Sequence, residues 1–500
     1  MEERIIAAKA VPTESPFILI SIFPSYETRG LLTLRSSLLA LCSLLLALCC
    51  SAQESLPVEQ LYQIHCANCH GKNMEGAQSA PLIKDNWLYG RDRPRMLRNI
   101  LYGIPNTDMI AWSTVLAEKD CAALLDYILD SQENPPTHYR PFPNVLETKD
   151  YTVAIEVLVE GGFDSAPWGI EFVDERRALI TERREGLRWM IDGKLDPVAI
   201  KGIPVATHYG DSGMFDLALH PDYSENGWVY ISYVHPLGDP DSREPAAATR
   251  VIRGRVVDHQ WVDQEDVFRV SEELYIQPGR GPWGSRLLFA EDGILYFSVG
   301  DSSHLDKVQS LDKPQGKVFR LNPDGSIPAD GPFDNEPKAI GGIYTIGNRN
   351  IQGLDQHPLT GEIWGTEHGP MGGDELNLLQ SGKNYGWPVI SHGRTYEGTP
   401  FPTGLEGMEQ PVKHWTPSVG VCPLEFYTGN LFPKWKNQAF VGALAYEEIK
   451  RLEMEGNEVV AEEVIMKNFG RVRDLKTGPD GALYVVINNP HAVLRLTPKN

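Results

Sequence analysis

The chain has 500 residues, 42% of them hydrophobic, and a formal charge of -21. That length and apolar content supply more than one core, and so acidic a balance argues against nucleic acid or anionic membrane as a partner while leaving small neutral substrates open. Beyond residue 52 the cysteines are Cys66, Cys69, Cys121 and Cys422, too few for a disulfide framework to replace cores.

Met1 to Thr28 fits neither a targeting segment nor a domain. Leu38 to Leu48 is a short apolar run preceded by Arg29 and Arg35 and followed by Cys50-Ser51-Ala52. This is the order of a secretory signal, and the run is too short to cross a bilayer alone. The sequence therefore predicts an N-terminal extension and signal peptide over 1–52, cleaved after Ala52, and a periplasmic or otherwise exported product. An uncleaved anchor, or a lipoprotein signal acylated at Cys49 or Cys50, is the alternative and the one route to a membrane; Leu48 before Cys49 fits the lipoprotein pattern poorly.

Residues 53–134 read as a small all-α domain. In Cys66-Ala67-Asn68-Cys69-His70 two thiols lie about one helical turn apart, placed to form thioethers with haem vinyl groups, and His70 follows at once as an iron ligand. A redox dithiol or half a zinc site is the competing reading, but no second CxxC completes a zinc site. Leu61 and Ile64 are expected on one buried face of a helix leading into the motif. A second helix over Leu116 to Leu129 carries the stripe Cys121, Leu124, Leu125, Ile128 and Leu129, which makes Cys121 a core residue. The sixth iron ligand is sought among Met74, Met96 and Met109. Met109 is favoured because the loop from Gly103 can hold it rigidly, whereas Met74 lies too near His70 and Met96 sits in a helix where packing explains it. The whole segment resembles small bacterial class I cytochromes c, which supports haem c on Cys66 and Cys69 with His70 and Met109 as axial ligands.

Residues 135–150 are proline-rich and read as a stiff linker. From 151 to 500 short apolar strands recur around Pro/Asp/Gly turns: Ile170 to Thr181, Leu217 to Tyr233, Leu287 to Val299, Leu354 to Thr366, Phe432 to Leu444 and Leu475 to Ile487. Six such units predict an all-β six-bladed propeller, with a pair of β-sandwiches as the alternative.

Several motifs in this region, in order, resemble the soluble glucose/aldose sugar dehydrogenases that use pyrroloquinoline quinone (PQQ) and calcium. They are Pro167-Trp168-Gly169-Ile170, Thr181-Glu182-Arg183, Leu217 to Tyr223, Gly347-Asn348-Arg349-Asn350-Ile351-Gln352-Gly353, Thr366-Glu367-His368-Gly369-Pro370, Gly373 to Asn377 and Asn384 to Pro388. A tricarboxylate quinone needs fixed cations, and Arg349 with Asn350, and Arg471 with Arg473, are the candidates; two apart on a strand, Arg471 and Arg473 would face the same side. The resemblance implies a calcium ion on the backbone carbonyls of Gly369 and Pro370, and a second on Glu375 and the Tyr385 carbonyl. A solvated acidic turn is the bland reading of Asp374 and Glu375.

The pattern breaks at three positions. Pro282 stands where the family has its catalytic histidine, Asp211 where a glutamine is expected, and Ala445 where a lysine often reaches the quinone. Asp211, helped by His208, is the candidate replacement base, with a substrate-anchoring role as its rival, and Arg349 completes the candidate catalytic group; His304 reads as a structural loop residue. Two functions follow. The first is a quinohaemoprotein that oxidises a sugar or polyol and passes electrons through haem c to a downstream acceptor. The second is a non-catalytic carbohydrate- or protein-binding propeller fused to an electron-transfer cytochrome.

Overall fold

The computed structural model describes residues 56–74, 82, 93–104, 109–133, 142–184, 186–207, 210–238, 246–277, 281–396 and 398–499. The segment read as a signal, residues 135–141 of the predicted linker and His208 lie outside them. The N-terminal domain is built from α1 (Val58–His65), α2 (Ala67–His70), α3 (Arg93–Tyr102) and α4 (Glu118–Glu133). Its core joins Leu61, Tyr62, Met96, Leu101 and the α4 stripe of Cys121, Leu124, Leu125 and Ile128. One expectation fails: Ile64 is 60% exposed. Tyr62 takes the inner face instead, and its hydroxyl donates to Gly71 O at 2.8 Å.

From residue 145 the chain forms six antiparallel sheets, the predicted six-bladed propeller. The innermost strands of blades 1 to 6 are Pro167–Phe172, Met214–Leu219, Gly284–Phe289, Ile351–Gln356, Val421–Phe426 and Arg471–Thr477. Blades 1 to 5 each use four consecutive strands. Blade 6 pairs the last three strands of the chain with Thr152–Glu160 and Val145–Glu147, so both ends of the propeller segment close the ring. Val145–Glu147 thus falls inside the stretch read as linker. The predicted unit Phe432 to Leu444 also misses the inner strand of blade 5, because residues 427–438 replace the tight turn that marks the other blades.

Every inner strand is bulged near its start. The register breaks between Pro167 and Ile170, Met214 and Leu217, Gly284 and Leu287, Ile351 and Gly353, Val421 and Leu424, and Val472 and Asp474. A bulge leaves a backbone N–H outside the ladder and re-aims a side chain. In three blades a hydroxyl on the second strand accepts that N–H: Gly169 N–H donates to Thr181 Oγ1 (2.9 Å), Asp216 N–H to Ser232 Oγ (3.1 Å) and Arg286 N–H to Ser298 Oγ (3.1 Å). The same hydroxyls donate onward to the next blade, to Phe215 O (2.5 Å), Ser285 O (2.6 Å) and Ile351 O (3.2 Å). Thr366 continues the relay to Cys422 O at 2.6 Å.

Arg286 fills the hub. Its guanidinium donates to Asp474 Oδ1 (2.9 Å), Asp216 Oδ1 (3.3 Å), Gln352 O (2.6 Å) and Arg473 O (2.5 Å), tying blades 2, 3, 4 and 6 together. Beyond it, Glu171, Asp355 and Glu425 surround Lys476 in a cavity of ≈190 Å³. Burial pushes Asp216 up to about 6 against the pull of Arg286. Removing one partner of a buried ion pair strands the other. Arg286→Met should therefore cost about 3–5 kcal/mol in urea unfolding, and the loss should be smaller at pH 5 than at pH 8, because Asp216 then takes up a proton.

Candidate active site

The bulges aim the first residues of the inner strands at one end of the hub. Arg473 stacks 3.9 Å over the Trp168 ring and donates to Gln352 Oε1 at 3.4 Å. Asn488, with its amide turned to satisfy both neighbours, accepts from Arg473 Nε (3.2 Å) and donates to Pro167 O (2.7 Å). Arg183 donates to Gly210 O (2.6 Å) and Ser212 O (3.0 Å), and lies 3.7 Å from Asp211 Oδ1. Burial lowers the pKa of Arg183, Arg471 and Arg473, the last to about 10, and the charges of Arg471 and Arg183 push Arg473 further the same way. All three stay cationic at neutral pH. Asp211, with its side chain half exposed, faces Arg183 and is the carboxylate felt most by Arg471. Crowding buried guanidinium groups is unfavourable unless an anion joins them.

On the blade 4 side, Arg349 donates from Nη1 to His368 O (3.1 Å) and from Nη2 to Tyr396 OH (3.3 Å). Asn350 Oδ1 accepts from Gly284 N–H (3.1 Å) and from Gln352 Nε2 (3.1 Å), so its Nδ2 is the donor that faces His368 Nδ1 at 3.2 Å. The proton of His368 consequently sits on Nε2. Burial drives its pKa down to about 4, and the ring is neutral. His368 Nε2, Arg349 Nε, Trp283 Nε1 and Ser302 Oγ are buried with no partner in the protein. Buried donors are rarely left so; together they ask for a ligand rich in acceptor oxygens.

The acidic turn is not a solvated one. Asp374 is 1% exposed. Its Oδ1 accepts from Gly369 N–H (2.9 Å), and its Oδ2 from Gly420 N–H (2.6 Å) and Val421 N–H (3.0 Å). It therefore clamps the Gly369-Pro370 loop to the start of blade 5. Glu375 lies opposite Glu367 on the neighbouring strand and accepts from Asn377 Nδ2 at 3.1 Å. Burial first, then the charge of Glu367, pushes Glu375 up to about 8; burial puts Glu367 at about 7. Tyr385 is buried within reach of the Glu367 charge. Two such carboxylates hold a proton or a cation between them. Among the described residues no group of three or more His, Cys, Asp or Glu could hold a metal, so a cation here would draw on backbone carbonyls.

In the helical domain Cys69 N–H and His70 N–H both donate to Cys66 O, at 3.1 and 3.0 Å, giving the single turn the motif needs. Burial, then the neighbouring Cys69, pushes the Cys66 thiol up to about 12, the reverse of what a reactive redox dithiol requires. Met109 and Cys66 both pack at the edge of the helical core. Ile104 N–H donates to Met109 O (2.9 Å), pinching the loop at its base, where Gly103 has φ +72° and a Cβ would strike Met109 O. Met74 and Met96 are core residues.

Residues 164–495 match the family model described as glucose/sorbosone dehydrogenase, and residues 55–128 match that of subunit III of cbb3-type cytochrome c oxidase. The chain belongs to the glucose/sorbosone dehydrogenase family. An aldose sugar dehydrogenase of Escherichia coli K12 is 36% identical over 358 residues, covering 70% of this chain and 94% of that one. A crystal structure of a glucose dehydrogenase superposes with a TM-score of 0.64 at 35% identity, over 69% of this chain and 99% of that one. The N-terminal cytochrome c domain is similar to cytochrome c55X of Stutzerimonas stutzeri, 30% identical over 85 residues, 17% of this chain and 74% of that one.

Within this glucose/sorbosone dehydrogenase fold, Arg183, Arg349, Asn350, Arg471 and Arg473 all lie at the same end of the hub as Asp211. Pro282 sits there too, its carbonyl accepting from Ser302 N–H at 2.8 Å. Sequence reasoning missed His368 and Asp374 as site-builders, and Arg286 as the hub; the signal for Arg286 was the recurrence of an acid beside the central Leu of the inner strands. The raised pKa values of Glu367 and Glu375 carry a sign. The folded chain keeps protons that an ordinary carboxyl at 4.5 has lost, so this contribution to stability is full below pH 4.5 and disappears as pH rises through 7 to 8. Calcium-free protein should melt at a lower temperature at pH 9 than at pH 6, added calcium should raise the melting temperature most at pH 9, and Glu375→Gln should diminish both effects.

Proposed function

We propose that this protein is an exported quinohaemoprotein dehydrogenase, oxidising a sugar or polyol with PQQ in the propeller and delivering the electrons to a covalently bound haem c. The observation that carries the reading is the surplus of buried donors around Arg349 and His368 beside the guanidinium groups of Arg183, Arg471 and Arg473. A planar tricarboxylate with quinone oxygens fits that surplus. When bound, PQQ supplies a two-electron oxidant. Arg471 and Arg473 would hold its carboxylates, while Arg349, Asn350 and His368 keep the other edge in register. Calcium on the Gly369 and Pro370 carbonyls would sit beside it, and Glu375 with the Tyr385 carbonyl would hold a structural ion.

Asp211 is the proposed acceptor of the substrate hydroxyl proton. It is a carboxylate at the rim of this end of the hub with its side chain partly in solvent, and Pro282 has no group to serve. His208 would share the proton, and Arg349 would steady the substrate oxygen. Cys66 and Cys69 would carry the haem by thioethers, with His70 and Met109 on the iron. No helix among the described residues is long and apolar enough to cross a membrane.

Pro282 and Ala445 favour a second reading, a binding propeller without catalysis. The readings part in one experiment. Purified protein given PQQ, calcium and a panel of aldoses and polyols should show haem reduction that depends on the quinone, and no quinone uptake would end the proposal. Asp211→Asn should then lower turnover by roughly a hundred- to ten-thousandfold; unchanged turnover removes Asp211 as the base.

A further inference from the structure

Among the described residues an ion pair joins the cytochrome domain to the propeller: Lys72 Nζ lies 2.7 Å from Glu447 Oε1. Lys72 follows His70 by two residues, a backbone path of at most about 7 Å. The contact is therefore made by the haem-attachment segment itself. Glu447 belongs to the loop after the second strand of blade 5 (Ala439–Ala443). That loop is fixed to the same end of the hub as the candidate site: Leu444 N–H donates to Gly420 O (2.7 Å), Ala445 and Tyr446 N–H both donate to Val419 O (3.0 and 3.1 Å), and Asn468 N–H donates to Glu447 O (2.8 Å). Gly420 is in turn held by Asp374. The Glu447 side chain is 11% exposed and that of Lys72 59%, so the acid is fixed and the lysine comes to it. The charge of Glu447 also acts on Arg471.

We propose that Lys72 and Glu447 form a docking latch that holds the haem-attachment segment over the mouth of the propeller, with Glu447 as a positioning residue for electron transfer between the domains. The occupant of this surface is the chain's own cytochrome domain. An ion pair with one exposed partner is weak, but a tether gives an effective concentration on the order of millimolar, at which a weak and salt-sensitive contact is enough. The electron role rests on the function proposed above. Oxidising one hydroxyl to a carbonyl releases two electrons and two protons; with one haem taking one electron at a time, an outside one-electron acceptor, a second cytochrome or a dye, would have to reoxidise it in between. The hydroxyl proton would leave through Asp211 to solvent, and the proton of the transferred hydride would be released when the quinone gives up its electrons.

The docking itself can be tested without the quinone. In haem-loaded, quinone-free full-length protein, carbodiimide cross-linking should join the Lys72 and Glu447 peptides, and Lys72→Gln should lose that product. Small-angle scattering should show a larger radius of gyration for Lys72→Glu and recovery in Lys72→Glu with Glu447→Lys. With quinone and substrate, at equal haem content, Lys72→Glu should slow haem reduction at least tenfold while leaving direct dye reduction by the propeller unchanged, and the double exchange should restore it. Absence of the cross-link together with an unaltered scattering profile overturns the latch. A cross-link with unslowed haem reduction in Lys72→Glu overturns the positioning role. A cross-link in protein that never reduces its haem sustains the latch and defeats the functional proposal instead.

Discussion

The structure depends on where the second strands of blades 1 to 3 place a hydroxyl. Bulging an inner strand turns side chains toward the axis, and it strands a backbone N–H in a dry interior, which is unfavourable unless something accepts it. Thr181, Ser232 and Ser298 accept that proton and pass their own to the next blade. One side chain thus permits the distortion and sets the spacing between blades. Trp168 lies within the first of these bulges, and Gln352, Cys422 and Arg473 lie within the corresponding bulges of blades 4 to 6, so the distortion of the inner strands is what brings these side chains to the candidate site.

The electrostatics of the two ends of the hub are opposed. At the site end, buried guanidinium groups stand beside the unpartnered donors of Arg349 and His368; on the far side of Arg286, carboxylates surround Lys476. Arg286 separates the two by neutralising Asp216 and Asp474 and by capping the carbonyls of Gln352 and Arg473. A ligand rich in oxygen acceptors would satisfy those donors, the same ligand chemistry that the motifs suggest.

The break at Pro282 gains meaning from its surroundings. Asp211, 3.7 Å from Arg183, is a carboxylate at this end of the hub with its side chain half exposed. The same end of the hub carries Glu447, whose carboxylate pairs with Lys72 of the helical domain.

Much was legible in the chain. The spacing of CANCH points to haem attachment, a property of one helical turn; the turn-centred repeat gives six blades because each blade repeats the same local problem of reversing a strand; Arg349 and Asn350 stand out through an ordered motif, and Arg471 and Arg473 through their spacing on a strand. Local signals failed where the partner is distant in sequence. Ile64 and Tyr62 compete for one face that only the packing against α4 decides, and Val145–Glu147 becomes a strand only because residue 152 onward pairs with the far end of the chain. A solvated turn was one reading of Asp374, and it is set aside only by the N–H groups of Gly420 and Val421 that its carboxylate caps. Arg286 and His368 took their roles from Asp474 and Asn350, contacts that ring closure brings together. Periodicity and spacing are fixed by neighbours along the backbone, whereas burial, protonation and orientation are fixed by neighbours in space, and those exist only once the propeller has closed.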